Sequence, residues 1–155
     1  MPDDLAQLAQ IALADFDDLF RRMEHSRPYA DRLRLVCLRQ GAARHYVHGD
    51  RGVQDFDLWG FFQEIAGHPF PWRRRAKHDF GPSRFGRNPN DGDDFKGRRV
   101  DVIGRSISMS ENETAIGSVQ RWLREARSDS ARLLSERPVI VIWPTADCDQ
   151  IIWPA

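Results

Sequence analysis

VQDFDLWGFF, residues 53–62, is a β-prone run in which two acids interrupt apolar and aromatic side chains. Side chains two apart on a β-strand point to the same face, so Asp55 and Asp57 project their carboxylates side by side. Carboxylates this close repel each other. A divalent cation removes the penalty, because Mg²⁺ takes oxygen ligands and favours one or two carboxylates together with substrate phosphates. The stretch therefore predicts a buried central strand that carries a metal site.

The acid pair also has a plainer interpretation, because Asp-x-Asp occurs in loops, helix caps and solvated strand faces. The apolar setting favours the metal hypothesis, since such a strand should not carry two acids without a use for them. Asp101 repeats the anomaly, because valines flank it in Val100-Asp101-Val102. A third acid on a separate strand could complete a two-metal site for phosphoryl chemistry.

A candidate phosphate site lies upstream of the acid pair. LRLVCL, residues 33–38, predicts a strand, and Gly41 then precedes small helix-forming residues. Gly41 suits a tight strand-to-helix turn, where bare backbone N–H groups and the positive end of a helix can meet a phosphate. The chain thus runs from a strand through a glycine turn and a short helix to a strand with two acids, and later to a strand with one.

This order resembles the DNA polymerase β-like nucleotidyltransferase superfamily, in particular its minimal members that pair with a partner protein. The resemblance rests on Gly41-Ala42, Asp55-Phe56-Asp57 and Val100-Asp101-Val102, and it covers about residues 33–106. It implies an α+β fold, a small mixed sheet flanked by helices, as one domain over residues 1–155. The chain departs from the family in two ways. Ala42 stands where Gly or Ser is usual, and the gap from the glycine turn to the acids is slightly long.

The resemblance also implies an activity, the metal-dependent transfer of a nucleotidyl group from a nucleoside triphosphate such as ATP. The acceptor stays open between protein, RNA and a small molecule. Asp55, Asp57 and Asp101 are expected to hold Mg²⁺ or Mn²⁺ and to act in catalysis, with Asp101 helping to activate the acceptor hydroxyl. The expected nucleotide-binding residues are Gln40, Gly41, Ala42, Arg44 and Arg105.

Two other functions stay open at this point. A metal-dependent nuclease would combine Asp57 with Asp94-Phe95-Lys96, which faintly resembles the acidic motif of restriction-type nucleases, although residues 90–94 predict a turn. A nucleotidyltransferase fold without turnover, serving as a binding or toxin–antitoxin module, is favoured by Ala42 and by the lack of room for a substrate domain. A partner protein or a homodimer fits either form of the fold.

Composition sets further limits. The chain has 23 basic and 23 acidic residues, so no global field attracts it to nucleic acid or membrane. No apolar stretch approaches the roughly 18 residues of a membrane span, and the first residues lack the basic region of a signal peptide, which predicts a cytoplasmic location.

Basic residues concentrate in the Gly/Pro-rich loop 73–99. This loop could bind a triphosphate or RNA backbone, or it could form a solvated insertion.

Periodicity predicts the remaining elements. Apolar residues at helical spacing predict a first helix over about residues 4–24 and a second over about 112–127. Predicted strands and extended segments are 33–38, 53–62, 71–80, 97–104 and 139–142.

Overall fold

The computed structural model describes residues 2–50, 52–70 and 75–154. The helices are α1 (Pro2–Arg22), α2 (Gln40–His48), α3 (Ala115–Glu125) and α4 (Asp129–Ser135), with 3-10 helices at Glu24–Tyr29 and Thr145–Asp147. The strands are β1 (Leu33–Arg39), β2 (Phe56–Gln63), β3 (Arg75–Asp79), β4 (Arg99–Ile107), β5 (Val139–Trp143) and β6 (Ile151–Trp153). No described helix combines the length and apolar character needed to cross a membrane.

The strands form one mixed sheet in the order β3-β4-β2-β1-β5-β6. The central strands β2 and β4 run parallel, and every other neighbouring pair is antiparallel. This arrangement confirms the predicted α+β class, with helices packed against a mixed sheet. It also makes β2 and β4, the strands that carry the predicted acids, direct neighbours.

Helix α1 covers one face of the sheet through an apolar stripe at helical spacing. Phe16 from this helix packs edge-on against Phe62, and Phe70 stacks on Phe62 with ring centroids 4.3 Å apart. The sheet makes room for these rings with a glycine pair, Gly60 and Gly104, which are register partners on β2 and β4. A Cβ at Gly60 would lie 2.5 Å from the Phe16 ring, so the glycines let the aromatic cluster sit directly on the strands.

Helices α3 and α4 cover part of the opposite face. Thr114 caps the N-terminus of helix α3. Its Oγ1 accepts a hydrogen bond from the backbone N–H of Gly117 at 2.9 Å. Its buried residues Val119 and Leu123 join a second core cluster with Cys37 and Phe61 from the sheet. Beyond this cluster, toward the start of β2 and β4, the same face carries charged residues.

Several boundaries differ from the sequence prediction. β2 begins at Phe56, so Asp55 lies just before the strand. β4 starts at Arg99 and extends to Ile107, beyond the predicted end at residue 104. Of the extended segment predicted over 71–80, residues 75–79 form β3, and 71–74 lie outside the described residues. The short strand β6 was not predicted.

Candidate functional site

A row of charged residues crosses four strands at one level of the sheet. Asp57 on β2 is the register partner of Asp101 on the parallel strand β4. The antiparallel neighbours extend the row, because Asp57 also faces Arg39 on β1, and Asp101 faces Lys77 on β3. Register partners point to the same face of a sheet. Two acids therefore lie side by side on β2 and β4, with a cationic residue on each flanking strand, β1 and β3.

Arg99 lies among the acids. Its guanidinium Nη2 is 2.9 Å from Oδ2 of Asp55, and its Nε is 3.3 Å from Oδ2 of Asp101. A third carboxylate, that of Asp91, is 3.6 Å from Nη1. Burial acts to lower the pKa of Arg99, but the carboxylates of Asp101, Asp55 and Asp91 outweigh it and raise that pKa. The guanidinium thus bridges two of the acids that were expected to share a metal ion.

The acids differ in their access to solvent. The Asp101 side chain is 0% exposed, whereas that of Asp55 is 28% exposed. Asp55 and Asp57 line a cleft of about 320 Å³, a size in the usual range of ligand pockets. Its other lining residues are Gln40, Gly41, Arg44, Gly52, Gln54 and Arg137.

The N-terminus of α2 forms one wall of this cleft. Arg39 precedes the helix in an extended conformation, and the helix has no side-chain cap. The first backbone N–H groups of a helix have no intrahelical partner, and the helix dipole adds positive potential there. This wall can therefore accept a phosphate, as the sequence suggested.

The turn into α2 differs from the sequence prediction in one respect. Gln40, not Gly41, has the left-handed backbone, with φ +62°. Gly41 lies within the helix, and a Cβ built on it meets no atom within 4 Å. A non-glycine residue at positive φ stores strain, and such strain is concentrated at functional sites. The strained residue here lines the cleft.

Most of the predicted site residues meet in the cleft, and three do not. Asp101 lies beside Asp57 but is fully buried against Arg99 and does not line the cleft. Ala42 was expected at the nucleotide, but its side chain is 3% exposed and packs in the core cluster under α1. Arg105 lies further along β4 and lines a different cavity.

Two cations at the site were not predicted. Arg99 had a local signal, because it precedes Asp101 by two residues on one strand and must share its face. Arg137 lies between α4 and β5, far along the chain from the acids, and only the folded sheet brings it to the cleft. Its side chain is exposed and forms no ion pair with any described residue.

Charged side chains at the end of β3 and in the long loop after it bind other parts of the same loop. Asp79 accepts hydrogen bonds from the backbone N–H groups of Gly81, Lys96 and Gly97 at 2.6–2.9 Å. Arg87 pairs with Asp93 at 3.0 Å. These contacts hold the two ends of the loop together. The Arg73 and Arg74 part of the predicted basic segment lies outside the described residues.

The nuclease hypothesis receives no geometric support from this loop. Asp94 is exposed and lies in a turn, not on a strand beside Asp57. Lys96 is exposed as well, and its backbone N–H is bound to Asp79.

The described part of the chain contains no group of three or more His, Cys, Asp or Glu side chains arranged to hold a metal ion. Mg²⁺, however, seldom uses an all-protein cage, because it keeps several waters and binds one or two carboxylates with substrate phosphates. Asp55 and Asp57 line the same cleft as the N-terminus of α2, and two carboxylates beside a helix N-terminus would fit a cation that arrives with a triphosphate. They do not form a preassembled three-acid centre.

Comparison of the chain with protein-family models, curated proteins and solved structures finds no match. Function is therefore inferred from the cleft itself.

Proposed function

We propose that this chain is a metal-dependent nucleotidyltransferase that binds a nucleoside triphosphate in the cleft between α2 and β2. One observation carries the proposal. Asp57 and Asp101 are register partners on the adjacent parallel strands β2 and β4. The N-terminus of helix α2 lines the same cleft as Asp55 and Asp57. This combines hard oxygen ligands with a phosphate-accepting wall in one place.

The phosphates would lie against the N-terminus of α2, with the Arg44 and Arg137 side chains to neutralise their charge. Arg137 is exposed at the cleft, and Arg44 is held near it by an ion pair with Asp50 at 3.3 Å. Positioned cations of this kind stabilise charge that develops on a leaving pyrophosphate. Asp55 and Asp57 would hold Mg²⁺ or Mn²⁺, which when bound supplies Lewis-acid stabilisation of the phosphate oxygens.

The reaction requires an acceptor hydroxyl oxygen to bond to the α-phosphorus while the bond to the bridging oxygen breaks and pyrophosphate leaves. The hydroxyl proton must pass to a carboxylate. Asp101, the expected proton acceptor, is buried against Arg99. The proposal therefore requires Arg99 to leave Asp101 and Asp55 when nucleotide and cation enter.

A second candidate function follows from the same contact. The Arg99 guanidinium already neutralises Asp55 and Asp101, and Ala42 offers no hydroxyl to a phosphate. A chain in which Arg99 keeps this position would bind nucleotide without turnover. This candidate is a binding module with the same fold, alone or with a partner protein.

Nucleotide binding is tested by thermal unfolding with each of the four nucleoside triphosphates, with and without Mg²⁺. Ligand at 100 times its Kd stabilises the folded state by about 2.7 kcal/mol, or about 5–10 °C for a chain of this size. We expect such a shift only with Mg²⁺, and we expect Asp57→Asn to abolish it. Asp94→Asn is the matched control, because it makes the same change in an exposed turn.

Turnover is tested by transfer of label from α-labelled nucleotide to components of a lysate. The transferase is supported if wild type and Asp94→Asn transfer label. Asp57→Asn and Asp101→Asn should then transfer none. Mg²⁺-dependent binding without any labelled product supports the binding module. The absence of a Mg²⁺-dependent shift with all four nucleotides would overturn both candidates, and loss of labelled product in Asp94→Asn would contradict the assignment of the site to the cleft.

A further inference from the structure

A second cavity, of about 610 Å³, lies where the C-terminal part of β4 meets the junction between α3 and α4. It shares no lining residue with the cleft at α2. Arg105 and Ser106 contribute from β4, residues 127–130 and Arg132 from the helix junction, and Pro69 and Phe70 from the segment after β2. Its lining is rich in arginine and serine, which are groups that donate hydrogen bonds to anions.

Arg105 is the unusual member of this lining. Its guanidinium carbon lies 5.2 Å from the ring centroid of Trp122, in a cation–π contact. Within the described ranges, no carboxylate lies within ion-pair distance of this side chain. Burial lowers the pKa of Arg105, since desolvation disfavours the charged form. A half-buried cation normally has a counter-charge. Arg105 lines the cavity, so an anion bound there could supply that charge.

The other two arginines already have partners. Arg127 Nε lies 3.4 Å from a carboxylate oxygen of Glu125, and Arg132 pairs with Asp129. The lining itself contains three arginines and a single acid, Asp129. With Glu125 beside Arg127, the cavity still carries a net positive charge, which suits an anionic ligand.

Serine hydroxyls supply further donors. Ser106 Oγ accepts a hydrogen bond from the backbone N–H of Phe70 at 3.1 Å, and Ser128 Oγ accepts one from Ala131 at 3.1 Å. A hydroxyl that accepts in this way keeps its own O–H to donate. Arginine forks with neighbouring hydroxyl donors are suited to a phosphate group, whose three oxygens accept several hydrogen bonds at once.

We propose that this cavity is a binding site for a phosphate-bearing ligand, with Arg105 as its central cation. The site is separate from the transferase cleft. Arg105 follows Asp101 by four residues on β4, which places the two about 13 Å apart along the strand. The proposal stands whether or not the cleft transfers nucleotides.

Titration with inorganic phosphate, followed by amide chemical shifts in ¹H–¹⁵N spectra, tests the site. We expect saturable shifts at Ser106 and residues 127–130. Arg105→Gln should weaken phosphate binding about tenfold or more, because a charge-assisted hydrogen bond is lost. Arg105→Lys should retain part of the affinity, since it keeps the charge but not the fork. Asp129→Asn should tighten binding, because it removes the only acid in the lining.

Arg124→Gln is the control, because Arg124 is an exposed arginine of α3 outside the cavity. It should leave phosphate affinity unchanged. Equal weakening by Arg124→Gln and Arg105→Gln would overturn the proposal in favour of general charge screening. Shifts confined to Gly41 and Ala42 would place phosphate at the cleft and also overturn it. The proposal would also be overturned if acetate bound as tightly as phosphate, or if the wild type showed no saturable chemical-shift change.

Discussion

Gly104→Ala should destabilise the fold through a clash with the aromatic cluster. A Cβ at this position would lie 2.6 Å from Phe70 Cζ, closer still to Phe70 Cε1, and 3.1 Å from Phe16 Cε1. Phe70 is 1% exposed and packs against the rings of Phe62 and Tyr29, so displacing its ring would disturb both contacts. Overpacking a core of this kind costs about 1–3 kcal/mol.

Part of that cost is offset in the unfolded chain. Replacing glycine by alanine removes backbone freedom and contributes about 0.4–1 kcal/mol of stability where the folded backbone accepts it. Gly104 lies in a regular strand without positive φ, so this gain applies. The net loss is roughly 0.5–2.5 kcal/mol, which corresponds to a fall in Tm of about 1–10 °C for a chain of this length.

Urea and thermal unfolding of matched variants measure this loss. Gly41→Ala is the control, because its Cβ meets no atom within 4 Å and helix propensity favours alanine there. It should unfold at or slightly above the wild-type midpoint. The Phe70→Leu background should reduce the cost of Gly104→Ala, because the clashing ring is gone. A wild-type midpoint for Gly104→Ala, or the same cost in both backgrounds, would refute the packing argument.

Two further predictions concern ionisable groups outside the cleft. Burial acts to raise the pKa of Asp79, but the backbone N–H groups of Lys96, Gly81 and Gly97 outweigh it and hold that pKa below its usual value. Asp79→Asn should therefore lose about 1–3 kcal/mol at neutral pH. The difference in stability between wild type and Asp79→Asn should narrow as pH falls below about 4, because the unfolded chain binds a proton near the ordinary pKa and the folded carboxylate binds one only at lower pH. A difference that stays constant down to pH 2 would contradict this. Burial raises the pKa of the Cys37 thiol, so a thiol reagent should label only Cys148 in the native protein and both cysteines in denaturant; rapid native labelling of Cys37 would contradict its burial.

Much of the fold follows from patterns that act within one element. Helical spacing of apolar residues predicted α1, and β-prone apolar runs predicted β1, β2 and β4. The rule that side chains two apart share a strand face predicted that Asp55 and Asp57 lie together, and both line one cleft although Asp55 lies just before β2. The three-residue strand β6 escaped prediction, because so short a segment is held by its pairing with β5 and has little intrinsic preference of its own.

The strand-to-helix turn shows how backbone geometry can contradict residue preference. Glycine tolerates positive φ at the lowest cost, so Gly41 was the natural choice for the turn. The chain instead turns at Gln40, with φ +62° at the cleft wall, and leaves Gly41 in the helix. Local propensity favours the cheapest conformation, whereas a fold can impose a costly one where surrounding contacts hold it.

The relation between Asp101 and Arg99 marks the limit of the sequence argument. Arg99 and Asp101 are two residues apart on β4, so their side chains lie on one face of the sheet. The parallel register with β2 places Asp101 beside Asp57. The same carboxylates can hold a metal ion or a guanidinium, because either cation removes the repulsion between them. Residue types and spacing are identical in the two cases, and only burial distinguishes them. Asp101 is 0% exposed with Arg99 against it, whereas Asp55 and Asp57 open to the cleft. Under the proposed function, whether Arg99 yields its place to a nucleotide-bound cation would decide between an enzyme and a binding module built on the same strands.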